Sequence, residues 1–167
     1  MNKKGMTLIE LLAVVGILAM LFMLVAPNAI NAFRNSKKSS FLTDVQTIYT
    51  TAIAQVQADH PRRVSDFYYC RNKGEECEHS INNVEGLELS GNTETNYIIQ
   101  IDRQNNVVFF LAQNGEYQYS YSASGSSEEL TDSSQITIDD IVRIDEPEAN
   151  KIFNFDSTVQ TKVDPDQ

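Results

Sequence analysis

The first 26 residues, MNKKGMTLIELLAVVGILAMLFMLVA from Met1 to Ala26, decide how this chain is organised. A short basic leader ends at Gly5, and an apolar stretch follows in which Glu10 is the only charged residue. As a helix that rises 1.5 Å per residue, Met6 to Ala26 spans about 31 Å, which is enough to cross the hydrocarbon core of a membrane. A carboxylate at the centre of a bilayer costs about 2.5–3.5 kcal/mol, so Glu10 is predicted to have a functional partner.

The residues Lys3, Lys4 and Gly5, followed by MTLIE from Met6 to Glu10, resemble the class III signal of type IV prepilins. The resemblance implies a type IV pilin or pseudopilin, with a long N-terminal α-helix packed on an antiparallel β-sheet head. The expected fold class is therefore α+β. The resemblance also implies a prepilin peptidase that cuts the Gly5–Met6 bond and methylates the new amino group of Met6. The family more often has phenylalanine at the position of Met6.

In this resemblance, Glu10 and Thr7 are the residues that act in assembly. Cleavage would leave a positive amine on Met6, and in a staggered bundle of helices Glu10 of one subunit would meet the amine of its neighbour. Removing one partner of such a buried pair costs about 3–5 kcal/mol, whereas the intact pair adds little net stability. The pair is therefore expected to set the register between subunits.

The charges of the leader predict the orientation of the chain in a membrane. Lys3 and Lys4 precede the apolar stretch, so the positive-inside tendency places the leader in the cytoplasm and the rest of the chain outside. A secretory signal peptide and a plain membrane anchor are the alternatives. A secretory cleavage site follows the apolar core near small residues, but Pro27 stands there in this chain. A plain anchor gives no reason for Glu10 beside a Gly5–Met6 junction.

Gly16 and Pro27 are expected to weaken the N-terminal helix. Proline within a helix costs about 3 kcal/mol and glycine about 1 kcal/mol, so a kink is predicted near Pro27. In pilins, the segment before the corresponding proline can lose helical order in the filament, which makes the stretch from Gly16 to Pro27 a candidate for extension. A static kink that only curves the helix is the alternative.

The hydrophobic pattern changes after Pro27. Apolar residues then recur mostly every three or four positions as far as Val56, which is typical of an amphipathic helix. That helix is expected to end near Asp59, because His60 precedes Pro61 and the residue before proline disfavours helical geometry. Arg34, Lys37 and Lys38 interrupt the apolar pattern and are interpreted as a solvated or intersubunit face, with a lipid-facing cluster as the alternative. The predicted parts are a leader, a transmembrane and polymerisation helix, an amphipathic helix and a β-rich head, at residues 1–5, 6–27, 28–59 and 60–167.

Three β-rich runs, at residues 97–101, 107–112 and 117–121, predict an antiparallel sheet in the head. Asn114-Gly115 between the last two runs is a strong hairpin signal. Residues 122–134 are rich in Ser, Gly and acids and are expected to form a mobile loop. Residues 136–144 fit either a strand or a short helix, and Ile152, Phe153 and Phe155 form a possible docking patch in the polar tail.

Cys70 and Cys77 enclose a short polar loop. If the head lies outside the cytoplasm, a disulfide between them is the economical interpretation, with a contribution of about 2–3 kcal/mol. Metal binding that includes the nearby His79 is the alternative, although the spacing does not match a zinc knuckle. A calcium site among the acids is also open by analogy with some pseudopilins, although no run matches an EF-hand loop. The acids concerned are Glu128, Glu129, Asp132, Asp139 and Asp140.

Charge and motif content argue against a generic nucleic-acid binder and against an enzyme. The chain has 13 basic and 23 acidic residues and a net charge of −10, whereas DNA binding requires a basic surface. A local DNA contact is left open only around Arg62, Arg63, Arg71 and Lys73. The sequence contains two histidines and no glycine-rich phosphate loop or recognisable nucleophile motif. We therefore expect no catalytic residues, no cofactor and no metal.

The expected function is that of a structural subunit of a type IV pilus-like filament. The subunit would wait in the membrane with a cytoplasmic N-terminus and enter an extracellular filament after cleavage. Its expected partners are prepilin peptidase, further copies of itself or related pilins, membrane lipid and the pilus assembly platform. A pseudopilin of a type II secretion or competence machine is the first alternative. A membrane-anchored binding module that never polymerises is the second.

Overall fold

The structure is a computed structural model that describes residues 8–62, 65–72, 84–87, 89, 95–124 and 129–145. The chain divides into two compact units, Met1–Lys37 and Lys38–Gln167. The tail patch at Ile152, Phe153 and Phe155 lies outside the described residues.

Helix α1 runs over 52 residues, Leu8–Asp59, and includes Pro27. Its first part is apolar on all sides, whereas its last part is amphipathic, as the hydrophobic pattern predicts. The helix ends at Asp59, where the His60 amide still donates to the Val56 carbonyl oxygen at 3.1 Å. Pro61 follows and prevents a further turn, because it has no amide hydrogen.

The second unit contains a six-stranded sheet in the order β2-β1-β3-β4-β5-β6. Five strands form antiparallel pairs, and β2 adds to the edge of the sheet parallel to β1. One long helix with an antiparallel sheet is the predicted α+β arrangement, which the structure confirms. The strands are β1 Phe67–Arg71, β2 Val84–Glu85, β3 Asn96–Ile101, β4 Val107–Gln113, β5 Tyr117–Ser122 and β6 Val142–Arg143.

Side-chain hydrogen bonds form the two hairpin turns of the central strands. Asp102 Oδ1 accepts from the amides of Gln104 and Asn106, each at 2.8 Å, in the turn between β3 and β4. Asn114 Oδ1 accepts from the amides of Glu116 and Tyr117 at 2.9 and 2.8 Å in the turn between β4 and β5. The hairpin predicted at Asn114-Gly115 is therefore confirmed.

The core of the second unit lies between the last part of α1 and one face of the sheet. The helix contributes residues at spacings of three and four that are at most 1% exposed: Phe41, Val45, Ile48, Ala52 and Val56. The sheet contributes alternate residues of its strands, including Tyr97, Ile99 and Phe110. Phe41 stacks on Tyr117 with their ring centroids 6.1 Å apart. Burial of this one helical face explains why the amphipathic pattern begins where it does.

Residues 129–145, here called the acidic segment, fold back on α1. They contain two short 3-10 helices, Ser133–Gln135 and Ile138–Asp140, followed by β6. The mobile loop predicted for residues 122–134 is therefore wrong at both ends, because Ser122 belongs to β5 and capping hydrogen bonds order Ser133 and Ser134. Residues 125–128 lie outside the described residues. The open choice for residues 136–144 resolves to both elements in succession: a 3-10 helix and then a strand. Strand β1 was not predicted.

Candidate membrane and assembly segment

Glu10 lies in the first turn of α1 and is exposed. Gly5, Met6 and Thr7 lie outside the described residues. The predicted contact between Glu10 and a neighbouring amine therefore stays a prediction.

The large apolar side chains that follow Glu10 are exposed on every side of the helix. Their exposed fractions run from 51% at Val14 to 76% at Met23, and Leu8 reaches 77%. In the second unit, the large apolar residues of the core are nearly all below 6%. A water-soluble surface rarely contains so large an apolar area, so this stretch requires lipid or protein around it.

Length and composition alone make α1 able to cross a membrane, with a mean hydropathy of 2.8 in its most apolar window. The family model described as "Prokaryotic N-terminal methylation motif" matches residues 1–26. The chain carries a prepilin-type signal. This signal supports a type IV pilin-like or pseudopilin protein, and it implies processing by prepilin peptidase and assembly with pilin-like partners. No curated protein and no solved structure matches the chain.

Gly16 and Pro27 both lie within helix α1. A Cβ atom added at Gly16 would meet no atom within 4 Å, so the subunit itself does not require glycine there. Pro27 removes the amide that would otherwise donate to the carbonyl oxygen of Met23. These observations fit a weak point in the helix, and both the kink and the melting of this stretch stay predictions.

Cys70 is 6% exposed and lies in β1 opposite Ile98 of β3. Cys77 lies outside the described residues. The disulfide between Cys70 and Cys77 therefore stays a prediction.

Two of the acids considered for calcium have another role, because they cap the 3-10 helices. Asp132 Oδ1 accepts from the Ser134 amide at 2.7 Å, and hydrogen bonds from Ser134 lower the pKa of the Asp132 carboxyl. Asp140 Oδ2 accepts from the amide and the hydroxyl of Thr137 at 2.7 and 2.8 Å. Among the described residues, no group of three or more His, Cys, Asp or Glu side chains is placed to hold a metal ion.

Arg34 and Lys37, interpreted from the sequence as part of a solvated or intersubunit face, share their side of α1 with exposed apolar residues. Lys37 Nζ lies 5.1 Å from the ring centroid of Phe33, which is a cation–π contact. Phe33 is 62% exposed and Ile30 is 52% exposed. The spacing of Ile30, Phe33, Arg34 and Lys37 at i, i+3, i+4 and i+7 would have revealed that they share one helical face.

Proposed function

We propose that this chain is a structural subunit of a type IV pilus-like filament. One observation carries the proposal: the prepilin-type motif at residues 1–26 contains an apolar helix that is exposed on all sides. Such a helix is stable in two environments, a lipid bilayer and a bundle of identical helices. A filament subunit uses both in succession, first in the membrane and then in the polymer.

Cleavage of the Gly5–Met6 bond by prepilin peptidase allows the subunit to pass from the membrane into the polymer. Before cleavage, Lys3 and Lys4 hold the leader on the cytoplasmic side. After cleavage, Met6 carries a methylated, positive amine that pairs with Glu10 of a neighbouring copy. Desolvation makes an unpaired charge in an apolar bundle costly, so only a stagger that pairs the two groups is tolerated.

The role we propose is structural and not catalytic. The apolar helix provides the filament core, and the β-rich head provides the surface. Two further functions use the same signal: a pseudopilin of a type II secretion or competence machine, and a membrane-anchored extracytoplasmic module. The abundance of the chain in surface filaments distinguishes the three.

The test is electron microscopy of surface filaments combined with mass spectrometry of their subunits. We expect an abundant polymer of this chain whose N-terminal peptide begins at N-methylated Met6. A trace amount in filaments made of another pilin would identify a minor subunit or a pseudopilin. Retention of Met1 in the assembled protein, or a terminus beyond Pro27, would refute the proposed processing.

A further inference from the structure

Four residues of α1 form what we call the apolar-basic face: Ile30, Phe33, Arg34 and Lys37. In a helix of 3.6 residues per turn, these positions fall within about 100° of one another. The residues on the opposite side are Asn31, Ala32, Asn35 and Ser36, which carry no charge, and the next basic residue, Lys38, lies at the edge of the face, about 40° from Arg34. All four members of the face are exposed, and Lys37 rests on the ring of Phe33.

The one-sided placement of these charges bears on the nature of their partner. A helix that leaves a membrane near the bilayer normal presents all of its sides to the lipid headgroups, since the average tilt is only about 20°. Headgroup binding therefore does not explain why the charges lie on one side of the helix. A protein surface that docks from that side explains it.

The complementary chemistry is present in the second unit of the same chain. Residues 38–167 hold 22 of the 23 acidic residues, whereas Glu10 is the only acid before them. The acidic segment alone contains five acids and one base, Arg143, which pairs with Asp145 at 2.7 Å. Within it, Glu129 and Asp139 are exposed.

The acidic segment also offers an exposed apolar side chain. Ile138 is 39% exposed, and no other large hydrophobic side chain in the described part of the second unit is as exposed. Ile138 lies directly before Asp139 and Asp140, so this part of the surface combines an apolar side chain with negative charge. The apolar-basic face combines apolar side chains with positive charge.

The acidic segment is held in place before any partner arrives. Gln46 Nε2 of α1 donates to the Ile136 carbonyl oxygen at 2.9 Å, and Gln135 Nε2 donates to the Glu129 carbonyl oxygen at 3.1 Å. Asp132 and Asp140 cap the two 3-10 helices. A surface fixed in this way loses little conformational entropy on binding.

We propose that the apolar-basic face of one copy docks on the acidic segment of a second copy, around Glu129, Ile138 and Asp139. Arg34 and Lys37 face the carboxylates, while Ile30 and Phe33 cover Ile138. This contact rests on the proposed filament function and adds a second point of attachment beyond the pairing of Glu10. Since its charges lie at the surface, the contact weakens as ionic strength rises.

Photo-crosslinking tests which surface meets Phe33. The photoreactive residue p-benzoylphenylalanine replaces Phe33 in the full chain, and the adducts are mapped by mass spectrometry in filaments and in the membrane pool. We expect a chain-to-chain adduct within residues 129–141 in the filaments. Adducts to lipid alone, or to another part of the chain, would overturn the proposal. Abundant filaments without the expected adduct would leave the filament function standing and reject this contact.

Charge reversal gives a second and independent measurement. Arg34→Glu with Lys37→Glu should lower incorporation into filaments by about tenfold or more, because like charges would face each other at the contact. Glu129→Lys with Asp139→Lys should do the same, and combining all four changes should restore incorporation. Arg103→Glu and Glu116→Lys, which reverse exposed charges in the two hairpin turns, are the matched controls and should be neutral. Failure of the fourfold variant to recover, with neutral controls, would contradict direct pairing.

Discussion

Gln46 in α1 and Ile136 in the acidic segment are joined by a hydrogen bond that bridges 90 residues of sequence. Gln46 Nε2 donates to the Ile136 carbonyl oxygen at 2.9 Å in a part-buried position. Next to it, Tyr49 OH donates to the Leu130 carbonyl oxygen at 3.4 Å. The acidic segment has little regular structure, so its backbone carbonyl groups need other hydrogen-bond partners. Polar side chains of α1 provide two of them.

Replacing Gln46 tests whether this bond holds the acidic segment on the helix. Gln46→Leu leaves a part-buried carbonyl oxygen without its donor, and we expect a loss of about 1–3 kcal/mol in the free energy of unfolding. Chemical denaturation of the full chain in detergent measures this loss. Gln57→Leu makes the same change at an exposed position of α1 and should stay within about 0.5 kcal/mol of wild type. Equal effects of the two variants would contradict a specific role for Gln46.

Asp44 should make stability depend on pH. Burial raises the pKa of its carboxyl, and the hydrogen bond from Thr95 Oγ1 at 3.4 Å offsets part of that rise. The folded state therefore binds the Asp44 proton more tightly than the unfolded state does. This contribution favours folding at low pH and is lost as pH rises from about 4, the pKa of an unperturbed Asp, through the folded pKa.

Asp44→Asn removes this titration without changing the shape of the side chain. We expect the variant to be more stable than wild type at pH 7, with the difference shrinking toward pH 3. Unfolding midpoints measured across this range, with Glu116→Gln as an exposed control, provide the test. A stability difference that is constant across the range would show that Asp44 does not titrate as argued.

The elements that the sequence predicts correctly are those whose signals are local. The helix that ends at Asp59 and strands β3 to β5 were predicted because periodicity, Pro61 and the Asn114-Gly115 turn are local features. Strand β1 was missed, although its residues FYYCR are β-prone, because polar and charged residues surround so short a run. Strands β2 and β6 have two residues each and depend on their partners for pairing.

The same distinction between local and long-range signals applies to the candidate functional residues. An apolar helix with a single acid is visible in the sequence, since uniform hydrophobicity over about 20 residues needs no tertiary information. The order of the acidic segment was not predictable, because its capping bonds and the long-range bond from Gln46 arise only after the chain has folded. From the sequence alone, the acidic residues there are consequently interpreted as part of a mobile loop or as a calcium site.

Cys70 and Cys77 are expected to form a disulfide in the exported protein. Trypsin cuts after Arg71 and Lys73, which lie between the two cysteines, so the fragments would stay joined only by the S–S bond. Peptide mapping without reductant should therefore show a linked pair that separates on reduction. Reduction should also lower the free energy of unfolding by about 2–3 kcal/mol. Alkylation of both thiols in unreduced filaments would exclude the bond.

Replacing Glu10 distinguishes a filament subunit from a plain anchor. Glu10→Ala makes the segment more apolar, so membrane insertion should persist and the Gly5–Met6 bond should remain available to the peptidase. Docking should fail, because the amine of the neighbouring subunit would enter an apolar bundle without its counter-charge, at a cost of about 3–5 kcal/mol per contact.

The measurement is a comparison of the membrane and filament pools of wild type, Glu10→Ala and Glu10→Asp. Glu10→Asp keeps the charge on a shorter side chain, so it should retain more incorporation than Glu10→Ala. A Glu10→Ala protein that is processed, membrane-bound and absent from filaments supports the pairing with the amine of Met6. Normal incorporation of Glu10→Ala would show that Glu10 does not set the register, since the bundle would then tolerate an amine without a carboxylate partner.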